Sequence, residues 1–281
     1  MTRLSGLVSA EAAEALAGRP DTVLLDIRLP ADGGRIAFEQ AHVPGAVFSD
    51  YAADGWRRRV GEVPGLLPEA AHLAGLFGRL GITPESRVIL VPLGASANDF
   101  AAAARACWTL RLAGHAEVAL LDGGTRGWIA AGRPVESGPG AVPAPADPYP
   151  IRWQEGLRAR AEDVVQALVQ GDPLVDARNA SYFTGREKAP EARIAGHVPG
   201  AHPRDYTSLF DPGTGRLLPR AALEAAFAEI RGKPVIHYCN TGHTAALNWF
   251  VLSEILGAPA RLYDGSMTEW TQDPGRPVAT A

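Results

Sequence analysis

His42-Val43-Pro44-Gly45-Ala46 and His197-Val198-Pro199-Gly200-Ala201 are the same five residues written twice, 155 positions apart. Other pairs follow in the same order. Leu25-Asp26-Ile27-Arg28 returns as Val175-Asp176-Ala177-Arg178, and Leu66-Leu67-Pro68 as Leu217-Leu218-Pro219. Leu121-Asp122-Gly123-Gly124 returns as Tyr263-Asp264-Gly265-Ser266; each is followed by a tryptophan (Trp128, Trp270) and then by Gly-Arg-Pro-Val. Ordered matches at nearly constant spacing mean one structural plan used twice. The seam is compositional. Residues 136–150, ESGPGAVPAPADPYP, hold five prolines and two glycines with no periodicity, the mark of a stiff, extended linker. The expected organisation is a domain over 1–135, a linker over 136–150 and a domain over 151–281.

Within each half, short apolar runs alternate with helical patterns. Strands are expected near Val23–Asp26, Val88–Val91 and Val118–Leu121, and again at Pro173–Asp176, Val235–Tyr238 and Arg261–Tyr263. Helices are expected at Ala101–Leu112, Ala161–Val169, Ala221–Ile230, Thr244–Leu256 and Ser266–Trp270. Such alternation gives an α/β fold: a mainly parallel sheet flanked by helices in each half. In such sheets ligands sit beyond the carboxyl ends of the strands.

Bulk properties exclude several classes. The chain has 281 residues, 46% hydrophobic and 21% charged, with a formal net charge of -4, so neither nucleic acid nor an anionic membrane surface is expected as a partner. No stretch reaches the roughly 18 apolar residues needed to span a bilayer. Residues 1–20 read as a short loop and then an amphipathic helix, not a signal peptide, so a cytoplasmic location is expected. Two cysteines, Cys107 and Cys239, exclude a disulfide scaffold.

The segment carrying chemistry is Val235-Ile-His-Tyr-Cys-Asn-Thr-Gly-His-Thr-Ala-Ala246. An apolar strand runs straight into Cys239; small and polar residues follow, then a helix. This order puts the sulfur at the sheet's carboxyl edge, beside a helix N-terminus and inside a loop of backbone N–H groups, all of which stabilise a thiolate. A cysteine at a strand end is also often a small core residue, and the pattern alone leaves both readings open. His237, Cys239 and His243 fall within seven residues, but zinc needs three or four convergent ligands with outer-shell support, so no metal is expected.

The tandem repeat, the two HVPGA motifs, the LLDIR and LVDAR strand ends and the Tyr-Cys-Asn-Thr-Gly-His-Thr loop together resemble the tandem-domain rhodanese family, over essentially the whole chain. The resemblance implies two rhodanese-like domains, the C-terminal one holding the active cysteine and the N-terminal one inactive. Aligning Val88–Val91 with Val235–Tyr238 sets Pro92 opposite Cys239, in keeping with that division. The related Cys-x5-Arg phosphatases are disfavoured. The sixth residue after Cys239 is Ala245, and neither Arg nor Lys occurs from 239 to 256.

The implied activity is sulfur transfer from a small anionic donor through a Cys239 persulfide to cyanide or a thiol, with no cofactor. Asn240, Thr241, Gly242, His243 and Thr244 form the expected cradle. Thr244 can donate to the sulfur, cap the helix, or do both, and His243 attracts an anionic donor or is a solvated loop residue. Arg186 is a candidate for the donor's anionic end. The loop matches neither Cys-Arg-Lys-Gly-Val-Thr, which accompanies thiosulfate users, nor Cys-Gly-Ser-Gly-Val-Thr of 3-mercaptopyruvate users. Tyr182-Phe-Thr-Gly-Arg-Glu-Lys188 resembles a segment of bacterial thiosulfate enzymes, so thiosulfate is the expected donor, with 3-mercaptopyruvate or a non-catalytic persulfide carrier as alternatives. Asp26 and Arg28 repeat Asp176 and Arg178 in a half without a nucleophile, which marks both pairs, like HVPGA, as structural.

Overall fold

The computed structural model describes residues 4, 6–144, 146–230 and 232–280; the readings made on residues 1–3, 5 and 145 lie outside them. The chain forms two compact units. The first comprises Met1–Trp56, Pro68–Gln154 and Phe210–Leu217; the second comprises Arg57–Leu67, Glu155–Leu209 and Leu218–Ala281. Each unit therefore contains a short antiparallel hairpin taken from the opposite half of the sequence. Arg58–Val60 with Val63–Leu66 belongs to the second unit, and Phe210–Asp211 with Arg216–Leu217 to the first.

The first unit holds a five-stranded parallel sheet in the order Leu7–Val8, Val118–Leu121, Arg87–Val91, Thr22–Arg28, Val47–Asp50. The second repeats it strand for strand: Arg158–Ala159, Ala260–Tyr263, Val235–Tyr238, Leu174–Asp176, His202–Pro203. The central strands are buried, entirely in Val235–Tyr238 and from Val88 onward in Arg87–Val91, as strands covered on both faces must be. Helices include Ala97–Leu112 in the first unit and Ala161–Gln170 in the second. Local chemistry sets their ends. Ser96 and Asp99 close a capping box, and Asp163 accepts the Arg160 N–H at 2.7 Å before the helix stops at Gly171, whose φ is +70°. Thr244–Leu256, expected as one helix, is α-helical over Ala245–Phe250 and then widens into π turns over Val251–Ile255.

HVPGA is a fastening device in both units. The His42 ring stacks on Phe38 at 4.0 Å and its Nδ1 meets the Phe38 carbonyl at 2.9 Å. The His197 ring does the same to Phe183, at 3.7 and 2.8 Å. The glycines at φ +74° (Gly45) and +75° (Gly200) make the turn that follows. The Pro-rich stretch is pinned along the first unit: the N–H groups of Gly138, Ala141 and Tyr149 donate to the Glu39, Ala46 and Ala74 carbonyls, and Tyr149 is buried against Phe77. Among the described residues no helix is long and apolar enough to cross a membrane.

Candidate active site

Four buried residues, Val235–Tyr238, deliver Cys239 to the carboxyl edge of the second unit's sheet. Cys239 is itself only 2% exposed. Its N–H donates to Ser266 Oγ at 3.0 Å, and the Ser266 hydroxyl donates on to the Tyr263 carbonyl at 2.8 Å. The Met267 and Thr268 N–H groups hold the Cys239 and Asn240 carbonyls, both at 3.1 Å. Ser266 is the one non-glycine with positive φ, +50°, among the described residues. A left-handed serine is strained. Its hydroxyl gives a reason for keeping it there, since without it the Cys239 N–H would be buried unpaired.

The first unit shows the same frame without the cysteine. The Thr125 and Arg126 N–H groups hold the Pro92 and Leu93 carbonyls at 2.9 and 3.0 Å, as Met267 and Thr268 hold Cys239 and Asn240. Pro92 has no N–H to satisfy, and Gly124, at φ +57°, stands where Ser266 stands in the second unit. A Cβ on Gly124 would come within 2.2 Å of the Pro92 carbonyl.

The loop after Cys239 is half-buried at Asn240, Thr241, His243 and Thr244 and turns at Gly242, where φ is +68°. The N–H groups of Asn240, Thr241 and Thr244 make no hydrogen bond among the described residues, so they remain open to an anion. Thr244 occupies the N-cap position, but its hydroxyl makes no capping bond; with Thr244 itself already helical, at φ -68° and ψ -30°, the capping role expected of it is not taken.

Asp176 and Arg178 support this loop from the neighbouring strand. Their buried fork has Nε–Oδ1 at 2.9 Å and Nη2–Oδ2 at 2.5 Å. Arg178 Nη1 then reaches Asn240 Oδ1 at 3.3 Å and Nη2 the Gly196 carbonyl at 2.8 Å. Burial opposes the Arg178 cation, but the Asp176 carboxylate, followed by Tyr238 and the Cys239 sulfur, holds its pKa above the ordinary arginine value. In the first unit Arg28 forks onto Asp26 in the same way, yet its Nη1 has no hydrogen-bond partner among the described residues. The link to the loop is thus made only in the unit with the cysteine.

Three neighbours were not legible as site residues. Ser266 is one. Tyr206 is another: burial, then Asp205 and the Cys239 sulfur, push its pKa up. The third is the hairpin from the first half of the chain. A Cβ on Gly65 would fall 2.4 Å from the Thr241 carbonyl, so the two backbones are in close contact. Arg57 Nη1 donates to Thr241 Oγ1 at 3.5 Å.

Arg186 is exposed, and its side chain makes no hydrogen bond to the cradle among the described residues. Lys188 Nζ turns back to the Ala192 carbonyl at 2.5 Å. His237 is fully buried, edge-on to Phe227 at 6.1 Å, and burial drives its pKa down to about 3. No group of three or more His, Cys, Asp or Glu side chains able to hold a metal occurs among the described residues. Cys107 is buried in the helix Ala97–Leu112 of the first unit.

The model of the rhodanese-like domain matches residues 9–131 and 160–273. A probable 3-mercaptopyruvate sulfurtransferase of Pseudomonas aeruginosa is 38% identical, over 98% of each chain. A thiosulfate sulfurtransferase of the same organism is 33% identical, over 93% of this chain and 92% of its own. The crystal structure of SseA from Escherichia coli, a 3-mercaptopyruvate sulfotransferase, superimposes with a TM-score of 0.78 at 27% identity, covering 94% of this chain and 99% of that one.

Proposed function

Because the chain belongs to the rhodanese family of sulfurtransferases, we propose that it moves a sulfane sulfur from a small anionic donor to an acceptor through a persulfide on Cys239. One observation carries the assignment to that residue. Cys239 ends a central strand within a loop whose N–H groups at 240, 241 and 244 are open, whereas the matching position of the first unit is Pro92.

With thiosulfate, the Cys239 thiolate attacks the outer sulfur. A Cys–S–S⁻ bond forms, the S–S bond of the donor breaks, and its electron pair leaves with sulfite. Cyanide or a thiolate then attacks the terminal sulfur; the new bond forms to the acceptor and the Cys239 thiolate is restored. The persulfide terminus is anionic, so the open N–H groups stabilise both resting and loaded states. No redox cofactor enters the balance.

Thiosulfate is favoured as donor by the Tyr182–Lys188 segment and by the thiosulfate sulfurtransferase among the relatives. The second reading, 3-mercaptopyruvate, is favoured by the 38% identical relative that matches end to end. There the attack releases pyruvate in place of sulfite. Steady-state rates with each donor and cyanide test both. Double displacement gives parallel double-reciprocal lines, and the better donor is the one with the higher kcat/KM. A non-catalytic persulfide carrier would take up one sulfur per chain and show no turnover with small acceptors.

A further inference from the structure

Tyr206 is carried toward the reacting sulfur by the second unit's own frame. Its N–H donates to the Ala177 carbonyl at 3.1 Å, and the Ala177 N–H donates in turn to the carbonyl of Tyr238, the residue before Cys239, at 2.9 Å. Two residues earlier, the Arg204 N–H donates to the Asp176 carbonyl at 2.8 Å, and the Arg204 carbonyl accepts Asn248 Nδ2 at 2.8 Å. The segment is thus clamped between the strand beside Val235–Tyr238 and the helix that follows the cysteine loop. The Asp205 carboxylate is engaged by the Thr207 N–H and hydroxyl, at 2.9 and 2.8 Å, which fixes the turn Tyr206–Leu209. Tyr206 is half-buried, and its hydroxyl makes no hydrogen bond among the described residues. Burial, then the Asp205 carboxylate and the Cys239 sulfur, raise its pKa, so the sulfur lies within electrostatic reach of a phenol that stays protonated at neutral pH. Other groups around the sulfur are engaged elsewhere. The Ser266 hydroxyl donates its proton to the Tyr263 carbonyl, the buried Tyr238 hydroxyl accepts the Val198 N–H, and Arg178 is forked onto Asp176.

The two donors differ in what must leave. Sulfite departs from thiosulfate as a weakly basic anion and needs no proton. A mercapto keto-acid gives up its sulfur only by leaving an electron pair on carbon, as a strongly basic enolate. We infer that the Tyr206 hydroxyl is the proton donor to that carbon, so that the site accepts an α-keto thiol as well as thiosulfate. The Cys239 thiolate attacks the thiol sulfur of the donor; the new S–S bond forms, the C–S bond breaks, and its pair becomes the pyruvate enolate. Tyr206 gives its proton to the enolate carbon. The tyrosinate then takes the S–H proton of the new hydropersulfide and leaves the persulfide anionic. The thiol proton of the donor thus ends on the methyl group of pyruvate, and no outside oxidant, reductant or proton enters. This assignment deepens the proposed Cys239 chemistry and rests on it.

The test is kcat/KM for 3-mercaptopyruvate and for thiosulfate, each with cyanide, in wild type, Tyr206→Phe and His243→Gln. Phenylalanine keeps the ring and removes the proton. In Tyr206→Phe the mercaptopyruvate value should fall about a hundredfold or more, the usual contribution of a positioned general acid. The thiosulfate value should stay within about threefold of wild type. A packing role of the ring would affect both reactions, so equal loss with both donors overturns the assignment, as does no loss with either. A donor split that appears in His243→Gln and not in Tyr206→Phe overturns it too. A wild type that turns over thiosulfate but not 3-mercaptopyruvate overturns the role of Tyr206 and leaves Cys239 standing. A wild type inert with both donors overturns the Cys239 reading itself.

Discussion

Replacing Ser266 separates its two functions, because alanine and glycine remove the hydroxyl but differ at φ. The Ser266 hydroxyl accepts the Cys239 N–H at 3.0 Å and donates to the Tyr263 carbonyl at 2.8 Å in a fully buried position. Either substitution leaves that N–H unpaired, at a cost of about 1–3 kcal/mol. Alanine keeps the strain of φ +50°; glycine releases it, worth about 1–2 kcal/mol. Ser266→Gly should therefore be the more stable variant by about 1 kcal/mol; the usual glycine penalty of about 1 kcal/mol applies to right-handed helix interiors, not to a first residue at φ +50°. Both variants should lose sulfur-transfer rate, about tenfold if holding the cysteine backbone accounts for about 1.4 kcal/mol of transition-state stabilisation. Urea unfolding at neutral pH measures the first ordering and thiosulfate:cyanide turnover the second. Ser266→Ala equal to or more stable than Ser266→Gly would refute the strain argument, and wild-type turnover in both would refute the positioning role.

Two further outcomes follow from buried polar groups. His237 has a folded pKa of about 3 against an ordinary 6.5, so the unfolded chain takes up its proton first as pH falls. Its contribution to stability is complete above pH 6.5 and declines toward pH 3, by about 2 kcal/mol between 6.5 and 5. Urea unfolding of wild type and His237→Leu at pH 7 and 5 should show that difference. The leucine variant should also gain about 1 kcal/mol or more at pH 7, because neither ring nitrogen of His237 has a hydrogen-bond partner among the described residues. Arg178→Ala leaves Asp176 buried without its cation and should cost about 3–5 kcal/mol, measured by chemical denaturation. Arg178→Lys should recover part of the stability but less of the activity, because an ammonium replaces the fork onto Asp176 with a point charge and cannot also hold Asn240.

The duplicated α/β plan was legible because its signals are local and repeated. The central strands Arg87–Val91 and Val235–Tyr238 are short, mostly apolar runs, and the sequence alignment that set Pro92 against Cys239 reappears as matching hydrogen bonds from Thr125 and Met267. The hairpins were not legible. Arg58–Val60 is three exposed residues with no apolar alternation, and nothing local says that it belongs with the second unit. Arg57 was therefore missed as a site neighbour. Ser266 was in view, aligned with Gly124, but its role depends on the Cys239 N–H that Pro92 lacks, a tertiary relation. The recurrence of Asp176 and Arg178 marks them as structural; the bond from Arg178 Nη1 to Asn240, which ties the pair to the loop, depends on the tertiary fold. The composition of the Pro-rich stretch said nothing of the carbonyls of Glu39, Ala46 and Ala74 to which its N–H groups bond.

Intact mass after incubation with thiosulfate, and separately with 3-mercaptopyruvate, tests the central claim most directly. The account predicts a gain of one sulfur per chain with the working donor, its loss on adding cyanide, and no gain in Cys239→Ser. A Cys239→Ser chain that still takes up sulfur, or a wild type that takes up none from either donor, would contradict it.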